Sequence, residues 1–207
     1  MEQLIYLIDD DHAIRCSLSS LLATMGWRTV TFQNTLDFQQ QISEPQALSG
    51  CLLLDIRMPG KSGLILLEEW QQQGLALPVI IMTGHGNIEL CRRAFKNGAF
   101  EFLTKPIDAD LLIETVSGAL EHQRVLQQQR QETAERTAKI STLSAREQEI
   151  TGLIMAGKSS KEIANELTLS PRTVEAHRAN VFAKLGINSS VKLMKIYGAL
   201  FSLERVK

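Results

Sequence analysis

The chain has 207 residues, 44% hydrophobic, 22% charged and 5% aromatic, with a formal net charge of −1. That length carries one or two domains with cores of their own, and ordinary Gly and Pro contents exclude collagen-like, low-complexity and disordered classes. No apolar run approaches the ~18 residues of a membrane span. The start MEQLIYLIDDD is acidic where a secretory signal is basic, and Cys16, Cys51 and Cys91 lack the spacing of a disulfide framework or a zinc site. A cytoplasmic protein without membrane attachment is expected.

Short apolar runs alternate with amphipathic stretches over the first 120 residues. Strands are expected at 4–9, 27–32, 51–56, 78–83 and 100–104. Three of the runs, LIYLI, CLLL and VIIM, are nearly unbroken, as in a parallel sheet covered on both faces. Helical periodicity fills 12–25, 35–42, 64–73, 87–97 and 108–121, with Gly26, Gly74 and Gly98 placed to end helices. Five βα units predict an α/β domain over 4–118, an open, doubly wound, five-stranded parallel sheet. Its ligands would bind outside the carboxyl ends of the strands.

The stretch EHQRVLQQQRQETAERTAK (121–139) has no Gly, no Pro and no wide apolar face. It predicts a solvated helical linker over 119–141. A dimerising helix is disfavoured, because Leu120, Val125 and Leu126 do not continue as heptads.

Residues 142–203 predict a second, all-α domain of four short helices. Ser144-x-x-Glu147 and Ser159-x-x-Glu162 are capping boxes, Ser170-Pro171 is a helix start, and Gly157 and Gly186 mark ends. Two helices joined by the turn at 168–170 make a helix-turn-helix. Residues 1–120 carry 8 Lys and Arg against 14 Asp and Glu, whereas residues 142–207 carry 10 against 6. A polyanion would therefore meet the tail rather than the front.

Candidate chemistry gathers at the strand ends: Asp9, Asp10 and Asp11 after the first, Asp55 at the third, Thr83 at the fourth and Lys105 at the fifth. In a parallel sheet these ends share one rim. Crowded carboxylates repel unless a cation joins them, and Mg²⁺ suits an oxygen donor set that leaves room for a phosphate. Lys105 supplies a compact positive charge and Thr83 a hydroxyl donor, so the constellation suits a phosphoryl group. Asp11 reads as a helix cap, and His12 and His85 are not expected to bind the oxygen-ligated ion.

The runs IDDDHAIR, LLLDIRMPGKSG, IIMTGHG and FEFLTKP resemble the receiver domain of bacterial two-component response regulators, a flavodoxin-like fold. The resemblance implies that Asp55 accepts the phosphoryl group from a sensor histidine kinase. Asp9 and Asp10 would form the acidic pair, with Asp10 the direct Mg²⁺ ligand and the Arg57 backbone carbonyl another. Thr83 and Lys105 would contact the phosphoryl oxygens. Phe102 matches an aromatic switch position, though core packing alone also accounts for it. An aspartate-nucleophile phosphatase would want an acid where Arg57 stands, and a stand-alone phosphorelay adaptor would leave the tail unexplained. No enzymatic activity is expected beyond self-phosphorylation and self-dephosphorylation.

The tail sequence LSAREQEITGLIMAGKSSKEIANELTLSPRTVEAHRANVFAKLG is similar to the helix-turn-helix of the LuxR/NarL/FixJ transcription factors, nearest the FixJ-like branch. Ser160 stands where that class usually has Asn, a change of hydrogen-bonding side chain that keeps a polar cap. In the third tail helix Val174, Val181 and Leu185 form one stripe, leaving Glu175, Ala176, Ala179, Asn180 and Ala183 on the other side. Small residues there permit close entry into a major groove, with Glu175 able to accept from a cytosine amino group. Lys161, Arg172, Thr173 and Lys184 are candidate phosphate contacts. Arg178 could either pack or reach out, and His177 reads as a packed, hydrogen-bonded core histidine. The expected partners are double-stranded DNA with dyad-symmetric half-sites, RNA polymerase and, on phosphorylation, a second copy of the chain. Dimerisation or unmasking of the tail would couple phosphorylation to DNA binding.

Overall fold

The computed structural model describes residues 3–42, 48–74, 77–84 and 88–204, the side chains of 202–204 excepted. The chain divides into two compact units, 1–128 and 129–207. In the first, β1 (Leu4–Ile8), β2 (Arg28–Phe32), β3 (Gly50–Asp55), β4 (Val79–Thr83) and β5 (Glu101–Thr104) alternate with α1 (His12–Thr24), α2 (Thr35–Gln41), α3 (Gly63–Gln72), α4 (Ile88–Lys96) and α5 (Ala109–Ser141). All neighbouring strands are parallel, in the order β2-β1-β3-β4-β5. The order reverses at β1, so the crevice above β1 and β3 is where a doubly wound sheet receives ligands.

The alternation of side chains along a strand separates two apolar layers. Tyr6, Ile8, Leu52, Leu54, Val79 and Ile81 pack with Phe38 of α2, Leu66, Leu67 and Trp70 of α3 and Ala94 of α4. Ile5, Leu7, Cys51, Leu53, Ile80, Met82 and Leu103 pack with Leu18 and Leu22 of α1 and Leu112, Val116 and Ala119 of α5. Two covered faces explain why the central strands are apolar on both sides until their carboxyl ends, where Asp55 and Thr83 stand. Edge strand β2 leaves Arg28 and Thr31 exposed. Burial pushes the Cys51 thiol up to about 12, which keeps it protonated and inert.

Two glycines are required by close approach. A Cβ on Gly50, at φ +126°, would sit 1.8 Å from the Leu4 carbonyl oxygen, within the β1–β3 pairing. A Cβ on Gly63 would lie 2.2 Å from the Asp55 carbonyl oxygen.

The expected fifth helix and the expected linker are one element, α5, of 33 residues. Nothing between 121 and 139 breaks a helix, and Glu121–Arg124 and Glu132–Arg136 pair along it. The junction between the two compact units falls inside it.

The second unit contains α6 (Ala145–Met155), α7 (Ser160–Glu166), α8 (Pro171–Leu185) and α9 (Ser190–Glu204). Both capping boxes form, and Ser170 caps α8 ahead of Pro171. Thr168 in the α7–α8 turn has φ +54° and Gly186 closes α8 at φ +69°. Val174, Val181 and Leu185 meet Ile140, Ile150, Ile154, Ile163 and Tyr197 in a single core.

At the edge of this core Lys184 bonds the Glu147 carboxylate at 2.6 Å, while the Ser144 N–H donates to the same oxygen at 2.8 Å. The Lys184 ammonium, and then the Ser144 amide, hold the Glu147 carboxyl down at about 2 against an ordinary 4.5. A depressed carboxyl stabilises the fold above the unfolded value and loses that contribution as pH falls through the folded one. Glu147→Gln is therefore expected to lower the thermal midpoint at neutral pH. The gap from wild type should close as pH falls from about 4.5 towards 2. A gap independent of pH, in thermal melts followed by circular dichroism, would exclude the carboxylate as its source.

Candidate functional site: an acidic rim and an exposed recognition helix

The residue after β1, Asp9, is fully buried, and Asp55 at the end of β3 is 4% exposed. Lys105, which follows β5, reaches into the crevice between them. Its Nζ lies 2.6 Å from Asp9 Oδ2 and 2.6 Å from Asp55 Oδ2. The other oxygens are also engaged: Asp9 Oδ1 accepts the Asp11 N–H at 2.9 Å and Asp55 Oδ1 the Arg57 N–H at 3.0 Å. Asp10 is exposed, and one oxygen from each of Asp9, Asp10 and Asp55 falls within 4.8 Å of the others. Thr83 is buried at the end of β4, paired in register with Thr104. Residues separated by up to 96 positions thus meet at one rim.

Burial dominates at Asp9 and raises its pKa despite the Lys105 and Asp11 bonds. At Lys105, burial pulls the ammonium down, but the bonds to Asp55 and Asp9 outweigh it and leave it above its ordinary value. Among the described residues the Lys105 ammonium and the Arg15 guanidinium stand against three carboxylates, so the cluster is short of positive charge. Its donor set is entirely oxygen and fits a hard divalent cation such as Mg²⁺.

Asp11 caps α1, accepting from Ala13 N and Ile14 N. His12 lies against Cys16 Sγ, 3.6 Å from Nε2, and His85 is outside the described residues. Phe102 is half-buried against the layer that contains Ala94. Arg57 is exposed, its amide directed at the Asp55 carboxylate.

Arg15 was not singled out by the sequence. Its Nη1 donates to the carbonyls of Asp9 at 2.6 Å and Asp10 at 3.0 Å, which fixes the acidic turn. A cation one turn into the helix after an acidic run is the signal that could have found it.

In the second unit Arg172, Glu175, Ala176, Ala179, Asn180 and Ala183 are exposed on α8, and Lys161 is exposed on α7. Thr173 is half-buried and completes the α8 cap, its amide and hydroxyl both bonded to Ser170 Oγ. Three expectations need correction. Lys184 is not an unengaged cation for phosphate, because it is bonded to Glu147 and to the Thr142 carbonyl. His177 is half-buried and, among the described residues, its ring makes no hydrogen bond. Ser160 is not a cap: Ser159 caps α7, and the Ser160 hydroxyl donates to Glu175 instead. Arg178, left open by the sequence, packs, with its guanidinium 5.7 Å from the centre of the Phe182 ring.

The response regulator receiver domain family matches residues 5–117, and the luxR family of bacterial regulatory proteins matches residues 141–197. The chain is a response regulator of the FixJ-like class. It is 37% identical to the transcriptional regulatory protein FixJ of Bradyrhizobium diazoefficiens over 192 residues, covering 93% of each chain. It is also 37% identical to the transcriptional regulatory protein TdiR of Thauera aromatica, covering 92% of this chain and 83% of that one. Among solved structures, the response regulator StyR matches with a TM-score of 0.87 and 33% identity over 96% of this chain and all of that one. Full-length FixJ from B. japonicum matches with a TM-score of 0.58 and 36% identity over 95% and 96%. This response regulator thus joins a receiver domain with an acidic rim to a LuxR-type DNA-binding domain, the composition of a two-component transcription regulator. No described helix is long and apolar enough to cross a membrane.

Proposed function

We propose that a sensor histidine kinase phosphorylates this response regulator on Asp55, and that the modification controls its binding to promoter DNA. The observation that carries this reading is the pair of 2.6 Å bonds from Lys105 to Asp9 and Asp55 beside an exposed Asp10. Asp55 supplies a carboxylate oxygen that attacks the phosphorus of a phosphohistidine. The new P–O bond forms as the P–N bond breaks, leaving an acyl phosphate on the protein and a neutral imidazole on the donor once it takes up a proton. Mg²⁺, held by Asp10, Asp9, Asp55 and the Arg57 carbonyl, would neutralise charge as the phosphoryl group arrives.

Lys105 then exchanges a carboxylate contact for a phosphoryl oxygen, and the Thr83 hydroxyl donates to another. The added charge, about −1.5 to −2, biases a two-state receiver, with Phe102 turning inward as Thr83 moves. The altered face favours a receiver dimer or frees the DNA-binding unit. Two tethered units raise the effective concentration of the second contact. Chemistry is confined to self-phosphorylation and self-hydrolysis. The protein works in the cytoplasm, where RNA polymerase is a further partner at the promoter.

The test is selection from random DNA by the full chain, before and after incubation with a small acyl phosphate and Mg²⁺. The expected product is a dyad with half-sites about one helical turn apart, ~34–36 Å, bound more tightly after phosphorylation. Equal affinity of the two forms for the selected sequence would break the coupling through Asp55.

A further inference from the structure

Ser159 supplies the cap of α7, which leaves Ser160, the first residue of that helix, with a hydroxyl that capping does not use. That hydroxyl donates to Oε1 of Glu175 on α8. The second carboxylate oxygen, Oε2, lies 3.9 Å from Nε of Arg178. Arg178 is itself fixed, because its Nη2 donates to Ser190 Oγ on α9 at 3.3 Å and its guanidinium lies 5.7 Å from the Phe182 ring centre. The Arg178 side chain is 17% exposed and that of Glu175 is 64% exposed. An exposed carboxylate on α8 therefore has its direction set from two sides, one of them a different helix.

An exposed glutamate without such partners samples several rotamers, and ordering it on binding costs conformational entropy. An ionised carboxylate only accepts, so it matches base edges that donate in the major groove, the amino groups of cytosine and adenine. We infer that Ser160 is a specificity-determining positioning residue that holds Glu175 in the orientation for one such base edge. The inference rests on the DNA-binding reading above and concerns how that helix discriminates. Ser160 is neutral, so its loss leaves the attraction to phosphates intact.

The test uses the full phosphorylated chain, the selected operator, operators varied one base pair at a time, and scrambled DNA. Glu175→Ala is expected to flatten the preference at one base pair. Ser160→Ala should reduce that same preference roughly fivefold to tenfold, within the range of a good base contact. Affinity for scrambled DNA, and its slope against salt, should stay at wild-type values in Ser160→Ala. Ser160→Asn, which restores a donor, should recover the preference, and Ser160→Ala should add nothing to Glu175→Ala. Preference retained by Ser160→Ala at the base pair that Glu175→Ala flattens overturns the positioning role while DNA reading stands. A uniform loss of affinity across all sequences overturns it too. A wild-type chain that selects no sequence removes the DNA-reading proposal itself, and this inference with it.

Discussion

Incubation with a small acyl phosphate and Mg²⁺ is expected to add one phosphoryl group to the wild-type chain and none to Asp55→Asn. The nucleophile is a carboxylate oxygen, and an amide of nearly the same shape is not one. Asp9 is fully buried, and its oxygens are bonded to Lys105 and the Asp11 amide. Asp10 is exposed but lacks the Lys105 bond that Asp55 has. Neither should substitute. The fold should survive the change, since Lys105 keeps its 2.6 Å partner in Asp9 and an asparagine oxygen can still accept the Arg57 amide. Intact mass spectrometry decides the matter. Equal incorporation in both proteins would place the acceptor elsewhere, and unfolding of Asp55→Asn would show as a shifted circular dichroism melt.

Gly50→Ala is expected to destabilise the first unit by about 3–5 kcal/mol, at the upper end of what single substitutions do. The new methyl carbon would meet the Leu4 carbonyl oxygen at 1.8 Å, in a backbone conformation of φ +126° that alanine rarely adopts. The obstacle is backbone at the first pair of the β1–β3 register, so no rotamer relieves it. A loss of this size is a large part of the 5–15 kcal/mol typical of a domain. Gly118→Ala is the control. It lies inside α5 with ordinary 3.7 Å contact to Phe100, and alanine is favoured over glycine in helices by up to about 1 kcal/mol. Urea unfolding followed by the fluorescence of Trp27 and Trp70, both in the first unit, reads the difference. Equal midpoints for Gly50→Ala and Gly118→Ala would show that β1 and β3 can shift apart cheaply.

The sheet was legible in the sequence because buried parallel strands need apolar residues on both faces, and LIYLI, CLLL and VIIM have them. The rim was legible for a related reason. An aspartate ending such a run, as Asp55 does, is costly unless compensated, and Lys105 occurs where the topology places compensation. The continuity of α5 was legible only in part. Helix propensity across 121–139 was plain, but nothing local shows that a helix beginning near 109 continues into it. Contacts between distant side chains were not legible at all. Lys184 and Glu147 are 37 positions apart and Ser160 and Glu175 are 15 apart. Their pairing depends on how α6, α7 and α8 pack, which the pattern of any one helix does not encode. Arg15 was hidden for a different reason. It binds backbone carbonyls, a role open to any long cation on that turn.

The contact between Gly63 and Asp55 gives the rim a mechanical asymmetry. At the foot of α3 the backbone carbonyl of Asp55 abuts the Cα of Gly63, with so little clearance that a methyl group would meet it at 2.2 Å. Just past β4, Gly84 has nothing within 4 Å of the same imagined methyl among the described residues. Protein interiors yield where there is free volume and resist where there is none. The side of the crevice toward α3 therefore acts as an abutment, and a bulky group added to Asp55 is expected to meet resistance there. If Asp55 is phosphorylated as proposed, that resistance is already built into the resting packing.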